Sequence, residues 1–280
     1  MKPNFLVVGA AKSATTWLYK CFYEHPEIFV PTLKEVDFFS YNYDKGYEWY
    51  LSFFTLNDEK AVGEISPSYM SNPDIPSRIQ EFNPNIKLIF LLRNPIQRAY
   101  SHYCMELRYN TVSENIDEEL TSESSIVKEG LYYRYISRFA NLFPSENIKI
   151  IIYNDLKNNV DSVLEDTFSF LGVNPKFRSE EMFKSRYSKM PRQRFAKLYG
   201  YLADIYRYIN TSSKLGSNII TFFKDKGLND KFHNLNSSSE SYPLLTLEKK
   251  RTLAEFYSKE ISLLSEYIDR DLSFWLDIDY

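Results

Sequence analysis

The stretch Phe5-Leu-Val-Val-Gly-Ala-Ala-Lys-Ser-Ala-Thr-Thr-Trp17 decides how this 280-residue chain is read. Phe5 to Val8 are four successive apolar residues, as a short strand buried on both faces requires. Gly9 permits a tight turn. Lys12, Ser13, Thr15 and Thr16 follow at once, ahead of a helical run from Trp17 to Tyr23. A strand, a small-residue turn and a helix in that order build an anion site. The N–H groups of a helix start lack intrahelical acceptors, the helix dipole favours negative charge there, and Lys12 adds a full positive charge. Taken alone, Gly9 to Ser13 also reads as an ordinary βα turn with Ser13 or Thr15 as N-cap. Small residues at 10, 11 and 14 and the consecutive hydroxyls favour a phosphate cradle.

The cradle does not spell G-x-x-x-x-G-K-[ST], so it is not the loop of nucleoside triphosphatases. Working outward, Ile28-Phe29-Val30-Pro31 reads as a short extended piece, and Tyr43 to Phe54 as an aromatic amphipathic helix. Ala61 to Ile65 is the next strand, running into Ser66-Pro67, and Asp74 to Phe82 is a helix. Lys87 to Leu92 is a continuous apolar strand that closes on Arg93-Asn94-Pro95, with a helix from Ile96 to Arg108. A helix from Tyr132, a strand from Ile148 to Tyr153 and a helical stripe from Val160 to Leu171 follow. Strands alternating with helices predict an α/β fold, a P-loop-like parallel sheet flanked by helices. Ligands of such sheets sit at the carboxyl ends of the strands, which puts Lys12, Glu64 to Ser66 and Arg93 on one rim.

Beyond residue 175 the pattern changes. Residues 184 to 197 carry Lys184, Arg186, Lys189, Arg192, Arg194 and Lys197 with no acid among them. A helix with Phe195, Leu198, Leu202, Ile205 and Ile209 on one side follows, then an Asn- and Ser-rich stretch from 228 to 242. The last helix, Leu247 to Ile268, is expected to bury Ala254, Tyr257, Ile261, Leu264 and Ile268. We read residues 1–280 as one domain, an α/β core over 1–175 and a mostly helical part over 176–280 that packs back on it as a cover.

Composition bounds the partners. A net charge of −3 argues against a general nucleic-acid or polyanion surface, so any basic site must be local. No apolar run approaches the roughly 20 residues of a membrane span, and the N-terminus enters its strand without a signal-peptide pattern. Cys21 and Cys104 lack metal-ligand spacing and read as free thiols. Together these features predict a cytoplasmic protein.

Arg93 discriminates among anion-binding chemistries. Nucleotide hydrolases place a metal-holding Asp after an apolar strand beside the phosphate loop; here an arginine, suited to bidentate phosphate binding, closes the strand. Ser101 follows eight residues on as a second donor. An arginine in a structural ion pair is the plain alternative for Arg93 taken singly. With the Lys12 loop, it points to two anionic groups on one ligand and no metal between them.

Three motifs, Ala11-Lys-Ser-Ala-Thr-Thr-Trp17, Lys34-Glu-Val-Asp-Phe-Phe39 and Leu91-Leu-Arg-Asn-Pro-Ile-Gln-Arg-Ala-Tyr-Ser101, resemble the sulfotransferases that use 3′-phosphoadenosine 5′-phosphosulfate. The second resembles the branch of heparan-sulfate sulfotransferases and their bacterial relatives. The resemblance continues through Gly130-Leu-Tyr132, Tyr153-Asn-Asp-Leu-Lys157 and Asp271-Leu-Ser-Phe-Trp275. It implies that Lys12, Ser13, Ala14, Thr15 and Thr16 bind the 5′-phosphosulfate, and that Arg93 and Ser101 hold the 3′-phosphate. It further implies that Trp17 stacks on adenine, that Tyr153 touches the base, and that Arg192, with Lys189 and Arg194, closes over the phosphates. A core tryptophan opening a helix is the alternative for Trp17, and a solvated loop the alternative for the basic segment. Glu35 falls on the general base of the glycan branch, and Lys12 stabilises the departing charge. Ala14 stands where Gly is usual, Asp37 where some relatives carry His, and Ile65 where the glycan branch often has Lys. The implied acceptor is a hydroxyl, or an amine, of a carbohydrate, lipid or small molecule. A phosphotransferase would need the missing Asp and the full phosphate loop. A catalytically silent nucleotide-binding scaffold is the remaining alternative.

Overall fold

In the computed structural model, which describes residues 2–54, 58–184 and 241–278, five strands form one parallel sheet. They are β1 (Phe5–Gly9), β2 (Ile28–Phe29), β3 (Ala61–Ile65), β4 (Lys87–Leu92) and β5 (Ile148–Ile152), in the spatial order β2-β3-β1-β4-β5. The helices alternate with them: α1 (Thr15–Glu24), α2 (Gly46–Leu51), α3 (Ile75–Phe82), α4 (Pro95–Arg108), two short turns α5 (Ile116–Glu119) and α6 (Ser125–Lys128), then α7 (Tyr132–Ala140), α8 (Tyr153–Asn158) and α9 (Val160–Leu171). A long helix, α10 (Leu247–Tyr267), lies in the C-terminal part. The α/β parallel sheet expected from the sequence is therefore observed.

The continuous apolar runs exist because the central strands are covered on both sides. Phe5, Val7, Ile89 and Leu91 face a core shared with Leu18, Phe22, Leu164 and Phe168. Leu6, Val8, Leu88, Phe90 and Leu92 face the opposite core, with Ile79, Phe139 and Tyr257. Strand residues alternate between the faces, so only an unbroken apolar run can satisfy both. Gly63 allows β1 and β3 to meet, since a Cβ there would lie 2.1 Å from the Phe5 carbonyl oxygen.

Three elements differ from expectation. Ile28-Phe29 is a true edge strand, pairing with Ala61 and Val62. The helix expected over Tyr43–Phe54 is a 3-10 turn, Tyr43–Lys45, followed by α2, because Gly46 at φ 78° breaks the run. Tyr153 is the first residue of α8 rather than the last of β5. The basic segment from 185, the helix read over Phe195 to Ile209 and most of the Asn- and Ser-rich stretch lie outside the described residues.

The C-terminal part joins the core on the face of Leu6 and Phe90. Leu253, Ala254, Tyr257, Ile261 and Leu264 of α10 are buried there, while Ile268 is half-buried. Gly130 makes room for Tyr257, whose ring would lie 2.8 Å from a Cβ at that position, and the Tyr257 hydroxyl donates to the Val127 carbonyl at 2.7 Å. Asn94 ties the chain end to the strand end. Its Oδ1 caps α4 by accepting from the Ile96 and Gln97 N–H groups, and its Nδ2 donates to the Trp275 carbonyl at 2.8 Å. The Trp275 indole in turn donates to Asn154. Both cysteines are free thiols, and no helix among the described residues is long and apolar enough to cross a membrane.

Asn94→Ala removes a helix cap and leaves the buried Trp275 carbonyl without its donor. We expect a loss of about 2–3 kcal/mol in chemical denaturation, partly recovered in Asn94→Ser, which keeps the cap alone. An unchanged midpoint for Asn94→Ala would contradict this anchoring.

Candidate functional site

The Lys12 loop leaves the sheet at its centre. Ala10 N–H donates to the Leu91 carbonyl at 2.8 Å, which fastens the loop to β4 as it leaves β1. Gly9 does not serve as the turn residue. It is the end of β1, and a Cβ there would lie 2.7 Å from Met70 Cβ, so the glycine is required by close packing. The chain reverses instead at Lys12 and Ala14, both left-handed at φ 67° and 74°. Ala14 is the N-cap of α1 and supplies no side-chain acceptor, and neither Ser13 nor Thr15 takes that role. The N–H groups of Thr15 and Thr16 open the helix without intrahelical acceptors. Ser13 is fully buried, and its Oγ makes no hydrogen bond of good geometry although the Tyr132 phenol lies beside it. Thr15 is buried and Thr16 exposed.

Cations gather on this loop. Arg93, at the end of β4, approaches the Lys12 carbonyl at 3.5 Å, contacts Gln97 Oε1 through Nε and Nη2, and lies 5.3 Å over the Tyr153 ring. Its backbone is held by the Tyr132 hydroxyl, which donates to the Arg93 carbonyl at 2.9 Å. Burial pushes that phenol up to about 12, offset by the charge of Arg98 and the bond to Arg93. Lys12 Nζ rests 3.3 Å from Met105 Sδ on α4. Its pKa is lowered, first by burial and then by the charge of Arg108, one turn beyond Met105; Glu35 and Glu106 oppose the shift. Arg93 and Arg108 thus lie within electrostatic reach of the Lys12 ammonium. A desolvated lysine within electrostatic reach of two arginines makes this part of the rim positive.

The other expected residues are placed as follows. Ser101 lies about two turns along α4 from Arg93 and is half-buried. Tyr153 is 4% exposed beneath Arg93. Trp17 is 5% exposed and sits in the core behind the loop, its indole N–H donating to the Glu181 carbonyl at 3.2 Å. Glu35 stands at the mouth with a left-handed backbone, φ 66°, about half exposed, and paired with Lys34. Arg192 lies outside the described residues.

The sequence reading placed Glu64 on the rim but assigned it no role. Its carboxylate is 1% exposed at the end of β3, and three hydroxyls donate to it: Tyr50 at 2.9 Å and Tyr69 at 2.7 Å to Oε1, Ser66 at 2.9 Å to Oε2. Burial pushes its pKa up to about 7 despite those three bonds. The available signal was an acid inside the otherwise apolar strand Ala61–Ile65. Arg108 had no comparable signal, since its role depends on where the end of α4 lies.

Two expectations follow. A buried acid raised from 4.5 to about 7 favours the fold while protonated, so its contribution is full below pH 4.5 and lost as pH rises to about 7. Glu64→Gln, neutral throughout, should therefore gain stability relative to the parent between pH 5 and pH 8 in parallel denaturation curves; a constant difference would contradict the buried charge. Ala14→Gly relieves a left-handed alanine and should stabilise by about 0.5–1 kcal/mol after the added unfolded-state entropy, seen as a higher melting temperature.

Residues 2–218 match the sulfotransferase domain family. The membrane-associated sulfotransferase kil1 of Dictyostelium discoideum is 35% identical over 131 residues, covering 45% of this chain and 28% of that protein. The mouse bifunctional heparan sulfate N-deacetylase/N-sulfotransferase 4 is 32% identical over 202 residues, covering 64% and 23%. The chain thus spans about a quarter of the length of these curated relatives. A crystal structure of a sulfotransferase from Alicyclobacillus acidocaldarius superposes with a TM-score of 0.70 at 24% identity, covering 99% of this chain and 100% of that one, which shows a shared fold. With its family match over most of its length, on a parallel sheet whose fold a solved sulfotransferase shares, the chain belongs to the sulfotransferase domain family.

Proposed function

We propose that the chain transfers a sulfuryl group from 3′-phosphoadenosine 5′-phosphosulfate to a hydroxyl or amine of a carbohydrate, lipid or small-molecule acceptor. One observation carries the reading: the loop from β1 to the uncapped start of α1 holds the buried Lys12, with Arg93 against the Lys12 carbonyl and Arg93 and Arg108 within electrostatic reach of the Lys12 ammonium. That donor set fits a ligand with two separate anionic groups. When bound, the donor supplies an activated sulfuryl group and a phosphate leaving group.

The side chains divide the work. Lys12 and the first N–H groups of α1, with Ser13 and Thr15, hold the 5′ group and stabilise the negative charge that develops on its departing oxygen. Arg93 and Ser101 hold the 3′-phosphate, Arg93 being braced from below by Tyr153 and through its backbone by Tyr132. Glu35 takes the proton from the acceptor hydroxyl or amine as general base. The burial of Trp17 favours a role as the wall behind the nucleotide site rather than a face for adenine. Ile65 is packed in the core and brings no charge, while the charge of Arg108 on α4 reaches Lys12. Two relatives named as heparan sulfate N-sulfotransferases support a glycan among the candidate acceptors.

Calorimetric titration with 3′-phosphoadenosine 5′-phosphate in magnesium-free buffer tests the donor site. Wild type should bind, and Arg93→Ala should weaken binding by ~10–100-fold, as expected for lost charge-assisted bonds of 1.5–3 kcal/mol. Absence of binding by folded wild type would overturn the reading.

A further inference from the structure

We propose that Glu64 is a positioning residue for the reaction, a buried carboxylate that holds the 34–39 loop, and so Glu35, from beneath. The proposal rests on the reading of Glu35 as general base.

The loop needs such a support. Glu35 and Asp37 both adopt left-handed backbone, at φ 66° and 54°, a conformation that side-chain-bearing residues disfavour. Two hydroxyls connect this loop to Glu64. Tyr69 donates to the carboxylate and accepts the Phe39 N–H at 3.2 Å; Ser66 donates to the carboxylate and accepts the Asp37 N–H at 3.2 Å. Each hydroxyl has one proton and lone pairs to spare. The ionised carboxylate, the form that prevails above about pH 7, only accepts, so there it draws both protons inward and leaves both oxygens turned toward the loop N–H groups. The charge of Glu64 thereby sets the hydrogen-bond direction of the whole relay.

The third donor reinforces it. Tyr50 gives its proton to Glu64 and stacks its ring on Phe38 of the loop, with centroids 4.4 Å apart and planes within 8°. Val36, Phe38 and Phe39 are buried, and the Asn42 amide donates to the Val36 carbonyl at 2.9 Å. Ser68 donates to Asp37 Oδ1 at 2.6 Å, so the Asp37 side chain is engaged within the same network. Glu35 is the acid of the loop that is left at the mouth near Lys12. A carboxamide at position 64 matches the carboxylate in shape, yet its NH₂ must donate where the carboxylate accepts. Glu64→Gln therefore reverses the polarity of one arm of the relay without opening a cavity.

The test compares Glu64→Gln, Ser66→Ala, Tyr69→Phe and Glu35→Gln at pH 8.5, where Glu64 is ionised, by three readouts: amide hydrogen exchange at Asp37 and Phe39, affinity for 3′-phosphoadenosine 5′-phosphate, and kcat on a panel holding N-desulfated heparan sulfate, a phenol and a sterol. We expect exchange at Asp37 to quicken at least tenfold in Ser66→Ala and Glu64→Gln, and at Phe39 in Tyr69→Phe. In these variants kcat should fall at least tenfold while nucleotide affinity stays within twofold. Glu35→Gln should lose kcat with exchange unchanged. Unchanged exchange in both Glu64→Gln and Ser66→Ala, or undiminished kcat in them while Glu35→Gln is inactive, would overturn the positioning role. Full activity of Glu35→Gln, or no turnover by wild type with the exchange effects intact, would instead overturn the reading beneath it and remove the step that Glu64 serves.

Discussion

The bond from the Ala10 N–H to the Leu91 carbonyl is the constraint on which the site depends. It carries the pairing of β1 with β4 one residue past the strand, so the Lys12 loop starts at a fixed distance from the strand that ends in Arg93. Without it, the loop would leave the sheet free to choose its own path. With it, Lys12 and Arg93 come from residues 81 positions apart and still meet across a 3.5 Å approach. The parallel sheet makes this possible, because β1 sits between β3 and β4 and all three strands end at the same rim.

The same rim separates two chemical environments. On the β4 side, Arg93 and Arg108 at the end of α4 bring positive charge within reach of Lys12 in a protein whose net charge is −3. On the β3 side, Glu64 is a buried acid satisfied by three hydroxyls. Glu35 stands at the mouth, near enough to Lys12 to oppose the lowering of its pKa. Positive charge on one side and a carboxylate on the other is a polarity that suits the group transfer proposed above.

Much of this was legible in the sequence, for reasons that particular residues make clear. Phe5 to Val8 and Lys87 to Leu92 announced buried parallel strands because each face must be apolar, and Arg93 stood out because it ended such a run. The edge strand Ile28–Phe29 was too short to carry a period. Gly9 was read as a turn residue, since sequence shows the missing side chain but not Met70 packed against it. The left-handed residues Lys12, Ala14, Glu35 and Asp37 are invisible to pattern because none is glycine. The Glu64 relay and the Arg108 charge arise from contacts between distant segments, which spacing along one chain does not encode.

The most direct measurement is transfer of ³⁵S from labelled 3′-phosphoadenosine 5′-phosphosulfate to N-desulfated heparan sulfate and to phenolic and sterol acceptors, in buffer containing EDTA, by wild type and Lys12→Ala. The account predicts transfer to at least one acceptor by wild type in EDTA and its loss, by at least ~10²-fold, when the Lys12 charge is removed from the departing oxygen. Nucleotide binding by wild type with no transfer to any acceptor, or transfer that survives Lys12→Ala undiminished, would contradict it.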